Sequence, residues 1–347
     1  MLLIMKKPPV KLTWLAYTLP IIASILGFIF MISMICMVIF YVRHKDEPET
    51  IGVSFSQVQA DRFGIDWRKA YTATLDELGF RHIRVATYWD RIEKTPGNYD
   101  FSELDFMVAE AEKRNAKIKL VLGQKVIRWP ECFYPTWLDK NNSGLVAEKT
   151  NALITATVNR YKNSPAIETW QVENEFLLKT FGECPKQNLT NQALAREIET
   201  VRAIDSTHPI ELTQSNQNGF PAFGPNTETF GFSMYRVVHN NVFGYYTYPQ
   251  TGIYTWWKAS LIEAYRNTRV TIHELQGEAW GSKGNEDLSW EEAQRSMNPD
   301  QLRDNLAYAR SAQIKTMYLW GAEWWYWLKY NQNQPEMWEA VRTELAR

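Results

Sequence analysis

The chain has 347 residues, 45% of them hydrophobic and 22% charged, with 17 Gly and 15 Pro. That is too apolar for a disordered chain, too irregular for a coiled coil and too poor in glycine for a collagen. The formal charge of −1 hides an asymmetry: residues 1–45 carry Lys6, Lys7, Lys11, Arg43 and Lys45 and no acid, so the remainder is mildly acidic and lacks the basic stripe that nucleic acid requires.

From Leu12 to Val42 no residue is charged, and Ile21–Val42 is apolar almost throughout. At about 1.5 Å per residue these last 22 residues span roughly 33 Å, enough for a ~30 Å hydrocarbon core. The expectation is a transmembrane helix over about 21–42 within an N-terminal unit of residues 1–45, followed by one domain over 46–347. A cleaved signal peptide is the rival, but the apolar run exceeds the usual ~7–15 residues and no small-x-small site follows it. Basic residues flank both ends, so the positive-inside rule only weakly places the N-terminus in the cytoplasm.

Beyond Pro48 the chain alternates β-branched runs with amphipathic stretches, the pattern of parallel strands joined by crossover helices. Eight strands are expected, at 51–56, 82–87, 117–123, 167–172, 210–215, 229–235, 269–274 and 315–320. Helices are expected over Asp66–Leu78, Ser102–Arg114, Gln192–Ile204 and Asp300–Gln313. Asn298 followed by Pro299, and Pro335 before the last helix, are start signals. The fifth unit is weak, since Asn216–Asn226 is a loop rich in Gly and Pro. Eight such units predict an α/β fold of the (β/α)8 TIM-barrel type, whose chemistry sits at the C-terminal ends of the strands. No G-x-G-x-x-G or P-loop motif occurs, so a nucleotide partner is not expected.

The fourth strand runs into Gln171-Val172-Glu173-Asn174-Glu175 and the seventh into Ile272-His273-Glu274-Leu275-Gln276-Gly277-Glu278. Two carboxyl groups at the tops of inward-facing strands suit glycoside hydrolysis, one protonating the leaving oxygen and the other attacking the sugar. These residues resemble the retaining (β/α)8 glycoside hydrolases of clan A, which include the cellulase-type family five and the β-galactosidase-type family forty-two. The resemblance covers about residues 51–330. It implies Glu175 as acid/base, Glu274 as nucleophile and Asn174 as a contact to the sugar 2-hydroxyl. It also implies Arg84 in strand two, Tyr235 after strand six and Trp320 after strand eight as residues around the sugar, with Arg84 and Tyr235 holding Glu274 ionised by charge and hydrogen bonding. Phe176 stands where the clan commonly has Pro. Glu278, four residues after Glu274, competes for the nucleophile's role; strand parity, with Val270, Ile272 and Glu274 on one face, favours Glu274 and leaves Glu278 as a sugar contact.

A zinc-protease reading of His273-Glu274 fails because position 277 is Gly. His82, His208 and His239 show no ligand spacing, and neither metal nor organic cofactor is expected. Of the 15 Trp, Trp89, Trp280 and Trp320 are expected to face a glycan cleft, where flat faces suit pyranose rings. The aromatic segment Phe243–Trp257 reads as an insertion walling that cleft or as a partner surface. Cys132 and Cys184 fall in the loops after strands three and four, which emerge side by side from a barrel, so a disulfide is feasible. It would put the domain in an oxidising, extracytoplasmic compartment, tethered to the membrane.

The expected activity is retaining hydrolysis of β-glycosidic bonds in an oligo- or polysaccharide. Transglycosylation on a cell-surface glycan is the alternative within the same chemistry, and a glycan-binding barrel without catalysis is the alternative outside it.

Overall fold

The computed structural model describes residues 10–215 and 224–346, with side chains from residue 17 onward. Eight parallel strands close into a barrel: β1 (Thr50–Ser54), β2 (His82–Ala86), β3 (Lys117–Leu122), β4 (Ile167–Val172), β5 (Ile210–Ser215), β6 (Thr229–Met234), β9 (Arg269–Gln276) and β10 (Thr316–Trp320). Between β6 and β9 the chain adds an antiparallel hairpin, β7 (Val237–Asn240) and β8 (Gly244–Thr247). All eight expected strands are present in register around the barrel. The hairpin is not among the expected strands, and only its second strand falls within the segment Phe243–Trp257 that reads as an insertion.

The helices start where their capping residues place them. Asp66 accepts bonds from the backbone of Arg68 and Lys69 at the start of Trp67–Asp76, and Asn298 accepts from Gln301 N at the head of Pro299–Ser311. These side chains satisfy amide donors that the first helical turn cannot. Helices also form over Ser102–Glu112, Asn191–Ile204 and Glu336–Leu345. Part of the weak fifth unit, residues 216–223, lies outside the described residues.

The barrel axis is polar where it matters. Near the strand starts, Lys119 and Glu211 pair at 2.6 Å, Thr271 Oγ1 donates to the second Glu211 oxygen at 2.7 Å, and the ammonium lies 4.1 Å from the centre of the Tyr318 ring. Gly52 faces that ring; a Cβ there would come within 2.6 Å of it. Buried charges persist only when paired in this way.

The partners of Thr271 reveal a difference from the expected parity. Thr271 and His273 point to the axis, so Val270 and Ile272 face the surrounding helices. Register against both neighbours then slips: Phe232 pairs with Ile272 but Ser233 with Glu274, and Met317 pairs with Ile272 but Leu319 with Leu275. One extra residue at His273 makes a β-bulge, and this bulge turns Glu274 inward as well. Glu274 reaches the expected place for a reason that simple alternation does not contain.

The N-terminal helix Val10–His44 is longer than expected, and its stretch Tyr17–His44, with an 18-residue window of mean hydropathy 2.7, is long and apolar enough to cross a membrane. Its last turns pack on helix Gly252–Arg266. Met37, Phe40 and His44 are buried there, and His44 Nε2 lies 2.9 Å from Glu263 Oε2.

Candidate active site

At the top of β4 the backbone leaves the sheet abruptly. Glu173 and Glu175 both adopt left-handed φ, at 64° and 44°, a conformation that costs a non-glycine residue of order 1 kcal/mol or more. Local bonds hold it. The Glu173 carboxylate accepts from Gln124 N at 2.8 Å and Lys125 N at 2.6 Å, and Glu175 N donates to Thr213 Oγ1 at 3.0 Å. Gly123, at φ 112°, is required beside it, because a Cβ would lie 2.2 Å from a Glu173 oxygen. Burial pushes the Glu173 carboxyl up to about 7, and burial followed by the charge of Glu173 raises that of Glu197. The motif's first glutamate is a brace for the second.

Glu175 and Glu274 face one another across the axis, and one oxygen of each, together with a ring nitrogen of His273, lie within 4.8 Å of one another. Arg84, fully buried, donates to Gln171 at 2.7 Å, to Glu274 Oε1 at 2.9 Å and to Asn174 Oδ1 at 2.5 Å. Tyr235 Oη donates to the other Glu274 oxygen at 3.0 Å, and Ser233 Oγ donates to Glu175 Oε1 at 2.7 Å. Burial first, and then the charge of Glu274, push the Glu175 carboxyl up to about 8. Burial, followed by Arg84 and Lys119, keeps His273 well below the usual histidine range and therefore neutral. Glu175, His273 and Glu274 have donor spacing for a cation, but the Arg84 guanidinium already occupies the Glu274 oxygen facing them.

A cleft of roughly 620 Å³ opens above this pair, a size suited to a small ligand or a few sugar units. Glu175, Glu274, Tyr235, Glu278, Trp280 and Trp320 line it, as expected. Glu278 is held by Arg128 at 2.5 Å and by Trp320 Nε1 at 2.8 Å, and among the described residues its buried Oε2 has no hydrogen-bond partner. A buried oxygen of this kind has room for a donor. Val238 of the hairpin and Tyr248 of the aromatic segment also line the cleft, and no other residue of Phe243–Trp257 does so.

Three expected contacts are corrected. Trp89 is not in the cleft; it is 1% exposed, packed against Tyr134 and Trp137, with its Nε1 donating to Glu93 at 2.7 Å. It follows β2 directly in a short helix that turns the ring into the layer between loop and helices. Arg84 does not touch the cleft either, because Gln171, Ser54, Asn174 and Glu274 surround it; what it does is bond the Glu274 carboxylate, the other role expected of it. Asn174 does not line the cleft either: it is buried, its Oδ1 accepts from Arg84 and Gln171, and its amide nitrogen donates to Glu131 Oε1 at 3.5 Å.

The sequence reading missed the loop after β3. Arg128 and Glu131, both at positive φ, enter the cleft from it; Arg128 bridges Glu278 and Glu323, and its guanidinium lies 4.2 Å from the centre of the Trp320 ring. Trp129 and Phe181 form one rim. The disulfide Cys132–Cys184 ties this loop to the loop after β4, as expected. Only RWPECFYP itself, an aromatic loop after a strand, signalled these residues.

The placement of the tryptophans gives a testable contrast. Trp280→Ala should raise KM about tenfold with little change in kcat, the pattern for lost uniform binding. Trp89→Phe should leave KM unchanged and lower stability by about 1–3 kcal/mol. Steady-state kinetics beside thermal denaturation separates the two effects, and a KM effect at Trp89 would contradict its buried position.

A closed (β/α)8 barrel with a carboxyl pair at the ends of its fourth and seventh barrel strands is the architecture of the clan A glycoside hydrolases. The family model of the cellulases, glycosyl hydrolase family 5, matches residues 47–318, and the chain belongs to that family. It is 28% identical over 121 residues to the β-galactosidase BgaA of Clostridium cellulovorans, a match covering 29% of this chain and 18% of that protein. Among solved structures, the exo-β-1,4-mannosidase Op5Man5 from Opitutaceae bacterium strain TAV5 superposes with a TM-score of 0.56 at 15% identity, covering 78% of this chain and 51% of that one. The intracellular xylanase TsXylA of Thermoanaerobacterium saccharolyticum gives 0.52 at 16% identity, over 80% and 90% of the two chains. The chain thus spans about half the mannosidase and under a fifth of the β-galactosidase.

Proposed function

We propose that the protein is a retaining β-glycosidase acting by double displacement, with Glu274 as nucleophile and Glu175 as acid/base. The observation that carries this reading is the carboxyl pair, with oxygens within 4.8 Å. Retaining enzymes hold their carboxyl groups about 5–5.5 Å apart, whereas inverting ones leave about 6.5–9.5 Å for a water. Arg84 and Tyr235 fix both Glu274 oxygens and compensate the charge, aiming the carboxylate into the cleft. Glu175, raised to about 8, carries the proton that the departing oxygen needs. Glu274 attacks the anomeric carbon as Glu175 gives up that proton, and the glycosyl–oxygen bond breaks. A water then donates a proton to Glu175 and displaces Glu274, restoring both groups.

The β-linkage follows the names of the mannosidase and β-galactosidase relatives. A membrane anchor is supported by the apolar N-terminal helix, and an extracytoplasmic barrel by the disulfide. Proton NMR of a fresh digest tests the mechanism: the β-anomer of the released sugar should appear first and mutarotate later. First appearance of the α-anomer would mean inversion and would remove Glu274 as a nucleophile.

A further inference from the structure

The direction in which the N-terminal helix leaves the barrel fixes what the cleft faces. Helix Gly252–Arg266 runs, like every helix of such a barrel, from the catalytic face, where β6 and the hairpin end, to the opposite face, where β9 begins. The N-terminal helix lies along it in the same direction. Its last residue, His44, meets Glu263 near the far end, and Tyr41, about a turn earlier, meets Trp256 at a ring separation of 6.2 Å. Eleven residues before Glu263 is Gly252, at the catalytic face; eleven before His44 is Ser33. From Leu19 to Ile32 every side chain is exposed, with no part of the barrel against it. The helix therefore passes the catalytic face at about Ser33 and continues beyond it. The uncharged segment from Leu12 to Ser33 is 22 residues long, roughly 33 Å, which matches a ~30 Å hydrocarbon core.

A second, independent feature marks the same face. Among the described residues outside this helix, seven large apolar or aromatic side chains are exposed, and five of them, Trp129, Phe181, Val242, Phe243 and Ile253, lie in the segments that follow the C-terminal ends of the strands. Val242 and Phe243, 81% and 76% exposed, form the tip of the β7–β8 hairpin. Apolar tips beside a spanning helix are what an interfacial contact requires, with aromatic rings at headgroup level. Val38, Ile39 and Val42, also exposed, carry this apolar surface down one flank, so that side of the barrel sits deepest.

The geometry points to a cleft that opens toward the bilayer spanned by the protein's own helix, with the saccharide headgroup of a lipid in that membrane as its substrate class. A glycan carried on a lipid diffuses in the plane directly beneath the mouth, where tethering of both partners raises their effective concentration. A soluble polymer has to enter between barrel and membrane. The substrate assignment rests on the hydrolase reading above, while the orientation does not.

The test uses the full chain in phosphatidylcholine vesicles and has two readouts. In a Cys36→Ser background, a fluorophore attached through Phe243→Cys should be quenched strongly by nitroxide-headgroup lipids, and one through Lys113→Cys, on the opposite face, should not. Equal or reversed quenching would overturn the orientation. For activity, dioleoylglycerol β-glucoside, β-mannoside and β-galactoside in the vesicles are compared with the corresponding free methylumbelliferyl glycosides. The substitutions Val242→Ser and Phe243→Ser, remote from the carboxyl pair, should lower turnover of the lipid-borne sugar about tenfold and leave the soluble one unchanged. Turnover of the soluble glycoside alone would overturn the substrate class. No turnover of any glycoside would count against the hydrolase reading and the substrate class together, and quenching would still decide the orientation.

Discussion

Glu274→Gln is expected to lower kcat by about 10⁴-fold or more, because the substitution keeps the shape of the side chain and removes the nucleophile on which the covalent intermediate depends. Substrate binding should change little. The amide oxygen still accepts from Arg84, and the aromatic walls do not move. Glu278→Gln is the informative companion. Glu278 lies in the same cleft but is drawn toward Arg128 and Trp320, and its partnerless oxygen suits a sugar hydroxyl rather than an anomeric carbon. Its loss should act mainly on KM, by about tenfold, as for a polar contact made equally in ground and transition states. Steady-state kinetics of the two variants on aryl β-glycosides separates the roles. Activity that survives Glu274→Gln and disappears in Glu278→Gln would move the nucleophile to position 278.

The two glutamates illustrate what was legible in the sequence. The barrel was readable because each strand is a short β-branched run and each helix an amphipathic stretch with its own capping signals, features written in local order. Strand ends alone do not single out Asn174-Glu175 and Glu274; the resemblance to clan A does. Strand parity on β9 was not readable, since alternation assumes one residue per register step and the bulge at His273 adds another. Trp89 failed for a related reason: a tryptophan after a strand can turn toward solvent or back into the packing layer, and here its indole N–H finds Glu93 inside the protein. Arg128 and Glu131 sit at positive φ in an irregular loop, where neither periodicity nor propensity says which way a side chain points. The ion pairs of Arg128 with Glu278 and Glu323 join residues far apart in sequence, so only the closed barrel brings them together.

The acid/base residue makes the sharpest pH prediction. With its carboxyl raised to about 8, first by burial and then by the charge of Glu274, Glu175 holds its proton through neutral pH, and kcat/KM should fall about tenfold per pH unit above that value. The linkage to stability has the matching sign. The unfolded chain ionises this carboxyl from about 4.5 upward and the folded one only near 8, so its contribution to stability declines as pH rises between those values. Glu175→Gln should therefore gain thermal stability over wild type at pH 8 relative to pH 5. In Glu274→Gln the second cause of the shift is gone and the first remains, so the Glu175 carboxyl should titrate lower, though still above a solvated glutamate; an infrared titration of its C=O stretch reads this directly. Glu175→Ala closes the argument. An aryl leaving group departs without a proton, so the first step survives and the glycosyl–enzyme accumulates, because water has lost its base. Azide is already an anion and needs no base. It should restore turnover and give a β-glycosyl azide, a product that neither an inverting enzyme nor a barrel that only binds sugar can form.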